Sequence, residues 1–326
     1  MPPSVDLSVI IPVHNAADTI EQIVQDFVSI DAVRTEVILV DDSSTDGSAR
    51  VIKSLAAENP RVTAKSHRVN RGAGVARNTG FAAAAGRYTI FFDADDIVHA
   101  HAIESVIPLM DESAADTAVL PYRYRRGKSV AHEAMNHFDV EIWDSYVGDT
   151  EGSYRVGTLD EFPRLLGFSN YPWNKVIRTE RFREVGLRYG ATPVHNDILG
   201  HWYSLLFART LLLLDDEVCT HIVEAGGSNL SNQHTSVRIS LFDALDETYD
   251  LLEEHPSLRN RYSHHYWASV IGTADWAQTR IAPEFLDEFK LRFQRHLLRA
   301  NLSDYSRIRM KRNRSLADAM IQRSLT

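Results

Sequence analysis

The chain has 326 residues, 44% hydrophobic and 24% charged, which is enough for one large or two modest soluble domains with a substantial core. Its net charge of -9 and its pI near 5.9 argue against general nucleic-acid binding. A single cysteine, Cys219, excludes an internal disulfide and fits a reducing compartment. The start, Met-Pro-Pro-Ser-Val-Asp, lacks the basic leader of a signal peptide, and the longest apolar runs, Leu211 to Leu214 and Ala82 to Ala85, are too short to span a bilayer. A cytoplasmic protein is expected.

Leu7 to Val13 is an almost unbroken apolar run, the pattern of a strand buried on both faces of a parallel sheet. Asp18 stands three residues before Glu21 in a capping-box arrangement, and Ile20, Ile23, Val24, Phe27 and Val28 follow at helical spacing. Glu36 to Val40 reads as a second buried strand, Ala49 to Leu55 as a helix, and Val62 to Ala64 with Gly74 to Ala85 as a third strand and helix. Tyr88 to Phe92 is a β-branched and aromatic strand ending abruptly in Asp93, Asp95 and Asp96. This alternation predicts a mainly parallel, doubly wound α/β sheet, whose ligands collect at the carboxyl ends of the strands. Residues 1–100 form the expected first half of that domain and 101–235 its second half. From 236 to 326 the apolar spacing is helical, through Leu241, Leu245, Tyr249 and Leu252 and later Phe285, Phe289, Phe293 and Leu297. Trp143 to Thr158, rich in Gly, Asp, Ser and Tyr, reads as an exposed loop or lid.

The polar residues gather at three strand ends: His14 and Asn15, Asp41 and Asp42, and Asp93 to Asp96. Three carboxylates at the tip of an apolar strand repel one another and need a cation or a set of donors. Asp93 and Asp95 alternate along an extended chain, so both can reach one hard divalent ion; a solvated acidic turn is the plainer alternative. Asn70-Arg-Gly-Ala-Gly-Val-Ala-Arg-Asn-Thr-Gly80 allows close backbone approach at its glycines. Arg71 and Arg77 there can face a diphosphate, and Arg77 can equally be a structural ion pair with a buried aspartate.

Four segments together resemble the successive motifs of family 2 glycosyltransferases: Ser8-Val-Ile-Ile-Pro-Val-His-Asn15, Val40-Asp-Asp-Ser-Ser-Thr-Asp-Gly47, Asn70-Arg-Gly72 with Ala76-Arg-Asn-Thr-Gly80, and Phe92-Asp-Ala-Asp-Asp96. The resemblance covers about residues 6 to 100 strongly, 170 to 235 faintly and the remainder not at all. It implies the GT-A fold and inverting transfer from a nucleotide-activated sugar, most often a UDP-sugar, to a hydroxyl of a glycan or lipid-linked saccharide, as in surface polysaccharide synthesis. Pro12, His14, Asn15, Asp41, Asp42, Arg71, Gly72, Arg77, Asp93 and Ala94 would then bind the donor nucleotide. Asp93 and Asp95 match the family's DxD motif and would hold the metal, Mn2+ or Mg2+, with Asp96 beside the donor sugar. Trp173-Asn-Lys175 followed by His195-Asn-Asp197 makes Asp197 the implied catalytic base, with Trp173, Asn174, Lys175, His195 and Asn196 near donor or acceptor sugar. Asn196 departs from the pattern, standing where glutamate is usual.

His195-Asn-Asp197 also suits a helix N-cap, since Ile198, Leu199, Trp202 and Leu205 follow at helical spacing. His195 is either an acceptor contact or a structural histidine. Ser228 and His234, in Gly226 to His234, either meet the donor phosphates or a metal or belong to a plain connecting loop. Arg307, Arg309, Lys311, Arg312 and Arg314 with Ile308, Met310, Leu316, Met320 and Ile321 form either a solvated basic face or a peripheral membrane contact. The main alternative function is a non-catalytic sugar-nucleotide-binding protein of the same fold. A dinucleotide-dependent oxidoreductase is disfavoured, because Gly72-Ala-Gly74 continues to Arg77 where the fingerprint needs glycine and does not follow the first strand.

Overall fold

The computed structural model describes residues 5–127, 131, 133–148, 153–223, 235–311 and 313–325. Its first half alternates as expected: β1 (Leu7–Val13), α1 (Ile20–Val28), β2 (Thr35–Asp41), α2 (Ser48–Glu58), β3 (Val62–Ser66), α3 (Ala73–Ala83) and β4 (Tyr88–Phe91). There follow β5 (Ile97–Val98), α4 (Ala100–Ser113), β6 (Thr117–Val119), β7 (Tyr122–Arg126), α5 (His137–Asp144) and β8 (Tyr154–Gly157). The next elements are β9 (Lys175–Arg178), α6 (Thr179–Glu184), α7 (Asp197–Leu206), β10 (Leu211–Leu214) and β11 (Cys219–Val223). The helices α8 (Leu241–Glu254), α9 (Pro256–Gln278), α10 (Leu286–Leu297), α11 (Leu302–Met310) and α12 (Arg314–Leu325) complete the described chain.

The main sheet runs β3-β2-β1-β4-β9-β6-β10-β8. β1 is parallel to β2 and to β4, β9 is antiparallel to both its neighbours, and β8 is an antiparallel edge on β10. The chain winds outward from β1 to β3 and then crosses back to β4, so the order reverses between β1 and β4 and opens a crevice at their carboxyl ends. Leu7, Val9, Ile10 and Ile11 are wholly buried, as a strand covered on both faces requires. A small sheet, β5-β11-β7, lies beyond the tip of β4 and pairs Cys219 with Val98 next to the acidic turn.

Two expectations need correction. Asp18 does not cap α1: the helix starts at Ile20 with Thr19 in the cap position and no side-chain cap. The span from Trp143 to Thr158 is not simply an exposed loop, because Trp143 is buried in α5 and donates its indole N–H to Asp215 (2.7 Å), while Tyr154–Gly157 pairs with β10. Of the apolar residues in the basic tail, Ile308, Leu316 and Met320 pack inward, leaving Met310 and Ile321 exposed. No helix among the described residues is long and apolar enough to cross a membrane.

Candidate active site

The loops after β1 and β2 are laced together. Asn15, in the left-handed region at φ 55°, accepts the Thr45 N–H through Oδ1 (2.8 Å), and its own N–H donates to Ser44 Oγ (3.1 Å). Asp41 accepts the Ser44 N–H (3.1 Å). Asp42 is buried, and its carboxylate accepts His67 Nδ1–H (2.6 Å), the Arg71 N–H (2.9 Å) and the Gly72 N–H (2.6 Å). His14 donates Nδ1–H to the Asp42 carbonyl (3.1 Å), which fixes its tautomer because a carbonyl only accepts. Gly72 sits at φ 85°, a conformation glycine adopts freely, which aims its N–H at Asp42. In this conformation Asp42 shapes the loop, with both oxygens engaged inside the protein. The Arg71 guanidinium, by contrast, stands exposed.

Past β4, the three aspartates have different surroundings. Asp93 is a quarter exposed and accepts Arg77 Nη2 at 2.6 Å. The Asp96 side chain is wholly buried and accepts His221 Nδ1–H (2.8 Å) and the Ile222 N–H (2.8 Å). Burial opposes charge on His221, but the bond to Asp96 and the negative charges around it outweigh burial and hold the imidazole above its ordinary range. Asp95 reaches solvent yet lies far enough into the crevice that desolvation, then the charges of Asp96 and Asp93, push its carboxyl up to about 7. Among the described residues no group of three or more His, Cys, Asp or Glu is arranged to hold a metal ion. With Asp96 spent on His221 and one Asp93 oxygen on Arg77, Asp95 and the other Asp93 oxygen fit a hard divalent ion only if a ligand's oxygens complete the shell.

The second half brings Asp197 to this crevice, at the first turn of α7. Desolvation is the main cause that lifts its carboxyl to about 6; Asp93 adds to the rise, and Arg77 and Lys175 oppose it. Asn170 Nδ2 donates to Asp197 Oδ1 (2.8 Å). Arg77, 6% exposed, links the two halves: its other guanidinium nitrogen donates to Asn196 Oδ1 (2.8 Å), and Tyr189 lies 5.4 Å from its guanidinium carbon. A carboxylate at 196 would compete with Asp93 for Arg77; the amide accepts the bond without adding charge. Gly74 is required at this junction, since a Cβ there would stand 1.9 Å from the Gly190 carbonyl oxygen. Lys175 is buried, and desolvation lowers its pKa to about 7; it donates to the Tyr171 carbonyl (3.1 Å) and to Asn174 Oδ1.

The model of the family described as "Glycosyl transferase family 2" matches residues 8–183, more than half of the chain. The chain belongs to this family. It is 38% identical over 276 residues to an uncharacterized glycosyltransferase, YibD, of Escherichia coli (strain K12), spanning 79% of this chain and 76% of that protein. A cholesterol galactosyltransferase of Borreliella burgdorferi is 34% identical across 64% of this chain and 49% of its own length. For the succinoglycan biosynthesis protein ExoO of Rhizobium meliloti the match spans 36% of this chain and 34% of that protein. S. aureus TarS 1-349, solved in complex with UDP-GlcNAc, shares the fold at TM-score 0.76 and 16% identity, over 98% of this chain and 89% of that one. The chain is thus a glycosyltransferase with the GT-A fold and a helical C-terminal region. The family match ends before Asp197.

Arg77, Asp93, Asn196 and Asp197 meet at the end of β4, the loops carrying His14, Asn15, Asp41, Asp42 and Gly72 are bonded to one another beside them, and Asp96 is buried beneath. Arg77 takes the ion-pair alternative, bonded to Asp93. Trp173 and Asn174 do not meet a sugar: both are 0% exposed, Trp173 lies under Tyr171, and Asn174 donates to the Ser169 carbonyl (2.9 Å). Asn196 occupies the cap position of α7, but its side chain serves Arg77 and makes no cap hydrogen bond. His195 is neutral, its pKa lowered to about 4 by burial and then by Arg238; its φ is 60° and Nε2 is buried without a partner among the described residues. Ser228 and His234 lie outside the described residues. Sequence reasoning passed over His67, Asn170 and His221, which lie in no motif and gain meaning only from the aspartates they meet.

Proposed function

We propose that this family 2 enzyme is an inverting, metal-dependent glycosyltransferase that moves a sugar from a UDP-linked donor to a hydroxyl of a glycan or lipid-linked saccharide in surface polysaccharide synthesis. The observation that carries the reading is the joining of Asp93 and Asn196 by one buried Arg77, which sets Asp197 beside the acidic end of β4. With a carboxyl near 6, Asp197 is ionised at neutral pH and still basic enough to take a hydroxyl proton. The acceptor oxygen loses its proton to Asp197 and attacks the anomeric carbon from the face opposite the nucleotide. The bond to the diphosphate oxygen breaks with its electron pair, and the configuration inverts. A divalent ion held by Asp95 and Asp93 would neutralise charge on the departing diphosphate. His14, Asn15 and the Asp42 loop would enclose the nucleotide.

The surface-polysaccharide context draws on relatives named for such work, including the minor teichoic acid protein GgaB of Bacillus subtilis, and the UDP assignment on the UDP-GlcNAc bound to TarS. We place the enzyme in the cytoplasm. The exposed Arg309, Met310, Lys311 and Arg314 are its point of contact with an anionic membrane face, and vesicle sedimentation with and without anionic lipid tests this.

Calorimetric titration with UDP, with and without Mn2+, tests the donor site. Metal-dependent binding that disappears in Asp95→Ala supports the reading; no binding of UDP under either condition rules out that donor.

A further inference from the structure

We infer that Tyr171 and His221 form the floor of an acceptor subsite that receives the apolar face of a pyranose ring beside Asp197. The inference rests on Asp197 being the base. Tyr171 is half-buried and stacks on the fully buried Trp173, with ring centroids 4.6 Å apart and planes 9° from parallel. His221, 20% exposed, has its ring centroid 5.1 Å from that of Tyr171 and is anchored to Asp96. On the other side, Asn170 holds Asp197. The two rings therefore connect the residue holding the base to the acid at the donor end of the crevice.

The floor is rigid. Tyr171 OH meets Tyr124 OH (3.2 Å), Tyr124 OH meets Tyr122 OH (3.2 Å), and Tyr122 OH donates to the buried Asp139 (2.6 Å). Tyr122 also packs edge-on against Tyr171 and Trp173, with centroids 5.3 and 5.1 Å away. A fixed aromatic face suits a pyranose, whose axial C–H groups make one side of the ring apolar while its hydroxyls point outward toward Asp197. A glycerol phosphate chain has no such flat face.

Saturation-transfer NMR on the UDP-bound Asp197→Asn protein tests this without turnover, using methyl β-glucopyranoside, methyl β-galactopyranoside and the methyl glycoside of N-acetylglucosamine, with glycerol 1-phosphate as control. At least one pyranoside should bind, with saturation strongest on H1, H3 and H5 of a single face. Tyr171→Leu should weaken it on the order of fivefold, the worth of one buried apolar face, while Tyr171→Phe should not. UDP affinity should be the same in both variants. Uniform saturation of both faces overturns the inference even if Tyr171→Leu fails to fold. Equal pyranoside binding in Tyr171→Leu, or glycerol phosphate binding with the same dependence on Tyr171, also overturns it. A protein that binds UDP but no pyranoside sinks this inference alone, whereas one that binds no sugar nucleotide sinks the donor reading before it.

Discussion

Replacing Arg77 with Met removes the guanidinium that joins the two halves of the crevice while keeping much of its apolar stem. Breaking a buried ion pair from one side costs about 3 to 5 kcal/mol, and the partial exposure of Asp93 lets water return, which favours the lower end of that range. The stranded Asn196 Oδ1 adds about 1 kcal/mol. The expected loss is therefore about 4 kcal/mol, and at roughly 2 °C per kcal/mol for a chain of this size Tm should fall by about 8 °C. Differential scanning fluorimetry reads the shift. A second change, Asp93→Asn, removes the carboxylate left without its partner, so the double variant should be more stable than the sum of the single losses. A fall in Tm under about 2 °C, or strict additivity in the double variant, would refute the account of Arg77 as the link.

Three further outcomes follow from the same geometry. Gly74→Ala should cost about 1 to 3 kcal/mol by thermal melting and lower transfer, because the new methyl collides with the Gly190 carbonyl ahead of the base; an unchanged Tm contradicts this. Asn196→Asp places a second carboxylate beside Asp197 and draws on the same arginine, so the acid limb of the pH–rate profile should move upward from near 6; a profile that stays in place shows the two groups are not coupled. Asp197 carries its carboxyl at about 6 folded against 3.8 as the ordinary value, so its ionised form disfavours the native state above that window and stability rises as pH falls from about 6 to 4. Asp197→Asn should accordingly raise stability at pH 8 by about 1 to 2 kcal/mol, measured by urea unfolding, and equal or lower stability contradicts the burial argument.

Much of the first half was legible because its chemistry is local. Leu7 to Val13 and Thr35 to Asp41 are buried on both faces and so read as apolar runs, and the aspartates mark where those runs end. The second half was harder because its meaning comes from distant contacts. His221 matters through Asp96, 125 residues away, and Asn196 through Arg77, 119 residues away, and no spacing rule spans either gap. Trp173 enters as a sugar contact through its place in a motif, yet it is fully buried and stacks on Tyr171 two residues earlier. The capping box at Asp18 failed for a related reason: the Ala17 N–H donates to Asp46 (3.2 Å), so the loop after β2 orders this entry to α1.

The measurement that bears most directly on the central claim is transfer by Asp197→Asn set against its affinity for UDP in Mn2+. Loss of transfer by about three orders of magnitude or more with UDP affinity retained is the result expected of a general base that takes no part in holding the donor. Transfer within about tenfold of the unaltered enzyme would show that another group removes the acceptor proton.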